Sequence, residues 1–125
     1  MNTELLLKAQ QLESKIKELQ EHLNFVDSQI LELDSFSENI KALSSFKNNE
    51  IISSIGKGVH VPAQITSKSL FVEVGAGIVL KKTHDETIKI IESQLSRIKQ
   101  ARINILSELD SNHIEFRYII EKIQS

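Results

Sequence analysis

Cysteine and tryptophan are absent from the 125 residues, proline occurs once and glycine only four times. Without cysteine there is neither a disulfide framework nor a thiolate metal site. Charge of one sign is also missing: the net charge is −2, so no basic field recruits nucleic acid. No stretch approaches the roughly 18 consecutive apolar residues of a membrane span. The opening Met1-Asn2-Thr3-Glu4 has no signal-peptide pattern. A cytoplasmic protein with neither membrane nor nucleic-acid partners is the expectation. So few chain breakers imply long uninterrupted elements rather than many short ones.

The breakers that do occur are confined to the middle. Gly56, Gly58, Pro62, Gly75 and Gly77 all lie between residues 49 and 83. That distribution predicts one subunit, residues 1–125, mainly α with a small β part. Residues 1–48 form an N-terminal coiled-coil helix, 49–83 two β-hairpins, and 84–125 a C-terminal coiled-coil helix.

Both outer segments carry heptads. Leu5, Leu12, Leu19, Val26, Leu33 and Ile40 form one column, and Ala9, Ile16, Leu23, Ile30 and Ser37 a second. Alternate spacings of four and three place both on one stripe, the seam of a coiled coil. Thr83-His84-Asp85-Glu86 reads as a capping box that starts the second helix. Its columns are Ile88, Leu95, Arg102, Leu109, Phe116, Ile123 and Ile91, Ile98, Ile105, Asn112, Ile119. One antiparallel register satisfies both seams: Leu5 opposite Ile123, Leu19 opposite Leu109, Leu23 opposite Ile105 and Ile30 opposite Ile98. It brings the chain ends level. Arg102 and Asn112 interrupt the seam and are read as determinants of register and orientation.

The middle alternates as strands do. Four strands are expected, about 50–55, 59–65, 69–74 and 78–82, with Gly56-Lys57-Gly58 and Gly75-Ala76-Gly77 as hairpin turns. Val59, Val61, Val72, Val74 and Ile78 form apolar strand faces that no third helix remains to cover. They are expected to be buried against strands of other chains.

Catalytic chemistry finds little support. His22, His60, His84 and His113 share no metal-ligand spacing. Neither Gly-x-Gly run has the spacing or the following helix that a phosphate cradle needs. Two rods imply no pocket in which acids and bases could be buried. No enzyme activity, cofactor or metal is expected. One apolar excess stands out where the two chain ends meet: Leu5, Leu6 and Leu7 on one helix, with Tyr118 and Ile120 flanking Ile119 opposite them on the other. A two-helix seam cannot bury all of these.

The run Ile55-Gly56-Lys57-Gly58-Val59-His60-Val61-Pro62-Ala63, with Leu70-Phe71-Val72-Glu73-Val74-Gly75-Ala76-Gly77-Ile78-Val79-Leu80-Lys81-Lys82, resembles prefoldin. Two hairpins point to the α class of the archaeal type. The resemblance implies a hexameric chaperone of two α and four β subunits, in which hairpins build a β platform and coiled coils project from it. It further implies capture of non-native proteins and delivery to a group II chaperonin without nucleotide hydrolysis. Client capture is expected on Leu5, Leu6, Leu7, Phe116, Tyr118, Ile119, Ile120 and Ile123. The alternative is a structural coiled-coil adaptor that grips one folded partner through the same ends.

Overall fold

The computed structural model describes residues 2–125. Its elements are α1 (Asn2–Ser44), β1 (Glu50–Gly56), β2 (Val59–Gln64), β3 (Leu70–Gly75), β4 (Ile78–Lys82) and α2 (His84–Gln124). In chain order two long helices flank two separate antiparallel hairpins, β1–β2 and β3–β4, as the pattern of breakers predicts. No helix among the described residues is long and apolar enough to cross a membrane.

Two compact units make up the chain: Met1–Glu32 with Leu95–Ser125, and Leu33–Gln94. The first is a coiled coil. Leu19, Leu23, Val26, Ile105 and Leu109 form its buried cluster, with Ile16, Ile30 and Ile98 packed against it. These are the residues that the flush antiparallel register brings together. Burial of Ala9 and Ile119 extends the seam toward both chain ends. Each seam Leu or Ile contributes about 1.5–3 kcal/mol of transfer free energy when fully buried. No described side chain falls below 2% exposure, because two helices alone surround a seam incompletely.

The polar residues in the seam behave differently from one another. Arg102 Nε donates to Asp27 Oδ1 at 2.6 Å, an ion pair across the two helices with both side chains partly exposed. Asn112 Nδ2 donates instead to the Glu108 carbonyl of its own helix. Of these two seam residues only Arg102 links the helices, and the register role expected of Asn112 has no cross-helix hydrogen bond behind it.

The second unit holds the inner helix ends and both hairpins. The α1 helix stops at Ser44, short of residue 48. The Lys41 carbonyl accepts both the Ser45 N–H and the Ser44 hydroxyl, and Ser45 Oγ donates to the Ala42 carbonyl, so a hydroxyl satisfies a carbonyl that a further turn would have used. Thr83 and Glu86 form the expected reciprocal cap. The Glu86 N–H donates to Thr83 Oγ1 at 3.1 Å, and the Thr83 N–H donates to Glu86 Oε1 at 3.2 Å. Ser37 and Thr87 are this unit's buried polar side chains among the described residues. Thr87 Oγ1 donates to the Thr83 carbonyl.

Two outcomes follow from this geometry. Cysteines replacing Leu19 and Leu109 should crosslink within one chain under mild oxidation, whereas cysteines replacing Leu19 and Arg102 should not. Mass spectrometry of the oxidised chain checks this. Hydrogen bonds from Thr83, its backbone N–H first and its hydroxyl second, hold the Glu86 carboxyl below its ordinary 4.5, and Lys82 and Lys89 act the same way. A depressed folded value means this stabilisation is complete above the unfolded value and is lost as pH falls through the folded one. Glu86→Gln should therefore flatten the part of the acid-unfolding profile below pH 4.5, as followed by circular dichroism.

Candidate functional site

Both hairpins carry exposed apolar residues. Directly opposed residues of an antiparallel pair share a face. In hairpin 1, Ile51 opposes Ala63 and Ser53 opposes Val61, with Val59 opposite the bulge at the turn. One face is thus almost wholly apolar, while Glu50, Gln64, Ser54 and His60 share the other with Ile52 and Pro62. In hairpin 2, Val72 opposes Leu80 and Ile78 opposes Gly75. Leu70 and Val74 lie on the same face. All five expected platform residues fall on these apolar faces. Val59, Val61, Val74 and Ile78 are exposed within the single chain, and Val72 is half-buried.

Ile51, Ile55 and Leu80 extend the same faces beyond the five expected residues and are also exposed. Their signal in the sequence is the alternation itself, carried one strand further. On the opposite faces Ile52, Phe71 and Val79 are exposed as well. Both sides of hairpin 2 therefore carry apolar residues.

The two turns have one conformation. Lys57 and Gly58 have φ of +50° and +79°, and Ala76 and Gly77 have +51° and +74°. Two central residues at positive φ define the type I′ turn, whose twist matches that of the flanking strands. A Cβ on Gly77 would meet nothing within 4 Å. Backbone conformation, not space, is what requires glycine there.

At the coil ends the eight expected capture residues separate into three sets. Leu6, Leu7 and Tyr118 are 50–56% exposed. Ile119 is 3% exposed and belongs to the seam. Leu5, Phe116, Ile120 and Ile123 are half-buried. The available apolar surface is therefore the first set, joined by Ile114 one turn before Tyr118. Lys122 Nζ lies 4.9 Å from the Tyr118 ring centroid and covers one of its faces. Apolar exposure is not confined to these ends. Farther along the coil, Leu31 and Ile103 line a shallow groove with Asp27, Ile30, Lys99 and Arg102.

At the hairpin roots, Leu43, Phe46, Ile65, Leu70 and His84 line a cleft of about 220 Å³. His84 Nε2 is buried there without a hydrogen-bond partner among the described residues. No group of three or more His, Asp or Glu that could hold a metal occurs among the described residues.

Comparison with known proteins bears on these surfaces. The family model described as prefoldin subunit matches residues 12–124. The chain is 28% identical over 99 residues to "Prefoldin subunit alpha" of Nitrosopumilus maritimus, covering 78% of this chain and 68% of that one. It is 27% identical over 86 residues to "Prefoldin subunit alpha" of Methanopyrus kandleri, covering 67% of this chain and 55% of that one. The match thus spans about half the length of the second relative. Among solved structures, a filamentous PFD from Methanocaldococcus jannaschii, determined by cryo-EM, aligns with a TM-score of 0.78. The alignment covers 92% of this chain and 98% of that one at 17% identity, a likeness of fold.

The turn geometry makes a prediction. Gly77→Ala should destabilise hairpin 2 by about 1 kcal/mol through the positive φ. Ala76→Gly should be near neutral, since relief of the same strain is offset by added unfolded-state entropy. Amide hydrogen exchange across β3 and β4 checks both: about five-fold faster in the first variant, unchanged in the second.

Proposed function

The chain belongs to the prefoldin family of chaperone subunits, in its α class, and from that premise we propose that it assembles through its hairpins and captures non-native proteins at its coil ends. The carrying observation is the pairing of exposed apolar hairpin faces with exposed apolar residues at both helix termini, in different compact units. One surface assembles the complex and the other binds clients.

Assembly places Val59, Val61, Val72, Val74 and Ile78 against strands of other prefoldin subunits, in a complex of two α and four β chains. An isolated two-stranded hairpin is marginal in water, and partner strands supply the missing core. Clients meet Leu5, Leu6, Leu7, Phe116, Tyr118, Ile119, Ile120 and Ile123. Leu6, Leu7 and Tyr118 make first contact, and seam members such as Ile119 become available only as the terminal turns fray. Hydrophobic capture is non-directional, so it tolerates many client sequences and persists at high salt. Binding and release need no nucleotide, and transfer to a group II chaperonin completes the cycle in the cytoplasm.

Deletion of residues 1–7 and 117–125 tests the division of labour. The truncated subunit should still assemble, because the hairpins lie in the other compact unit. It should lose most of its suppression of aggregation of several unrelated denatured proteins. Val74→Lys should bury an unpaired charge that blocks assembly while helicity remains. Full capture by the truncated complex would move the client site to the platform. Loss of binding to a single folded partner, with suppression of aggregation unaffected, would favour an adaptor.

A further inference from the structure

Hairpin 1 has two outer edges, and they are not equivalent. The Ile65 N–H donates to the Asn49 carbonyl at 2.7 Å, just beyond the paired strands. Directly opposed residues in an antiparallel ladder alternate between pairs that exchange hydrogen bonds and pairs whose backbone groups point away. Asn49–Ile65 is of the first kind. Continuing the register, Ile51–Ala63 and Ser53–Val61 are also of the first kind, and Glu50–Gln64, Ile52–Pro62 and Ser54–His60 are of the second.

The outward backbone groups of β1 therefore belong to Glu50, Ile52 and Ser54, each with an N–H and a carbonyl. Those of β2 belong to His60, Pro62 and Gln64. Proline has no N–H. Its place on the outer edge explains why the hairpin tolerates it, since the missing donor costs no internal bond. The same place leaves a gap in the middle of the β2 edge, where an incoming strand would find a carbonyl but no donor.

Resting on the assembly proposed above, we infer that β1 is the primary docking edge of hairpin 1 and that β2 is a weak seam. The occupant is an antiparallel edge strand from a hairpin of another prefoldin subunit. A strand is the ligand whose donors and acceptors repeat at the spacing of Glu50, Ile52 and Ser54. Side chains add to the match. Such a strand places one residue opposite Glu50 and another opposite Ile52, two positions apart on one face. A basic residue opposite Glu50 and a β-branched one opposite Ile52 suit this edge. The β4 strand of this chain, with Val79 and Lys81 two positions apart on one face, is an example of such a strand. Hairpin 2 contains no proline, so its edges carry no equivalent gap.

Ile52→Pro and Pro62→Ala test the edges in opposite directions. Ile52→Pro removes the central outward donor of β1 and leaves every bond within hairpin 1 in place. Ile52→Thr keeps the donor and alters only the side chain. Each full-length chain is titrated with a β-class prefoldin subunit of the same organism, and complex formation is followed by native mass spectrometry. Ile52→Pro should raise the midpoint concentration about ten-fold, with Ile52→Thr close to wild type. Pro62→Ala should lower it several-fold. Wild-type assembly matched by Ile52→Pro, or Pro62→Ala assembling no better than wild type, overturns the edge assignment and leaves assembly through hairpins standing. Absence of any complex with the wild-type chain removes the assembly reading itself. If Ile52→Pro unfolds hairpin 1, the Pro62→Ala midpoint decides alone.

Discussion

A two-stranded antiparallel hairpin satisfies its backbone on the inner side of each strand and leaves the outer side open. Two such hairpins sit between the helices of this chain, and neither pairs with the other. Their apolar faces, from Ile55 and Val59 to Val74 and Ile78, remain in contact with solvent. Among the described residues no third layer covers them. A protein with that constraint is completed by partners of its own kind, because only strands supply both the missing hydrogen bonds and the missing apolar face. The coil has the opposite character. Its seam is closed by its own two helices, and what it leaves exposed is scattered or terminal.

The helices were legible because heptad spacing encodes a face directly. Leu19, Leu23, Ile105 and Leu109 lie at the spacings that bring them into one cluster. The capping box was legible for the same reason, since Thr83 and Glu86 stand at a fixed offset. The end of α1 was not. It depends on Ser44 and Ser45 hydroxyls turning back to the Lys41 and Ala42 carbonyls, and serine is equally at home on an exposed helix. Arg102 and Asn112 looked alike as polar breaks in one seam. Rotamer and neighbour separated them, with Asp27 within reach of the first and a carbonyl of its own helix within reach of the second.

Of the surfaces, the apolar hairpin faces could be read from alternation, but the edges could not. Pro62 is visible in the sequence, whereas whether its nitrogen points inward or outward depends on the parity of the ladder. One hydrogen bond, Ile65 to Asn49, fixes that parity. At the coil ends the eight residues named from the sequence differ in exposure, which the sequence did not distinguish. Ile119 is apolar and terminal, yet the d position that made it a seam residue also buried it.

Magnitudes tie the two surfaces together. Leu6, Leu7 and Tyr118 keep about half of their area exposed. Full burial of an apolar side chain contributes about 1.5–3 kcal/mol, so their remaining halves offer about 2–4 kcal/mol in all. A dissociation constant of 1 mM corresponds to about 4 kcal/mol, and lost translational and rotational freedom subtracts several more. On the proposed reading, one subunit end therefore holds a client too weakly to prevent aggregation. Fraying that uncovers Ile119 adds area and gives up seam energy of similar size, so it reshapes the surface more than it strengthens it. Useful affinity requires several ends on one scaffold, where each later contact forms at the effective concentration set by the first. On the proposed reading, the open hairpin edges that call for partner strands are thus also what makes weak terminal surfaces sufficient.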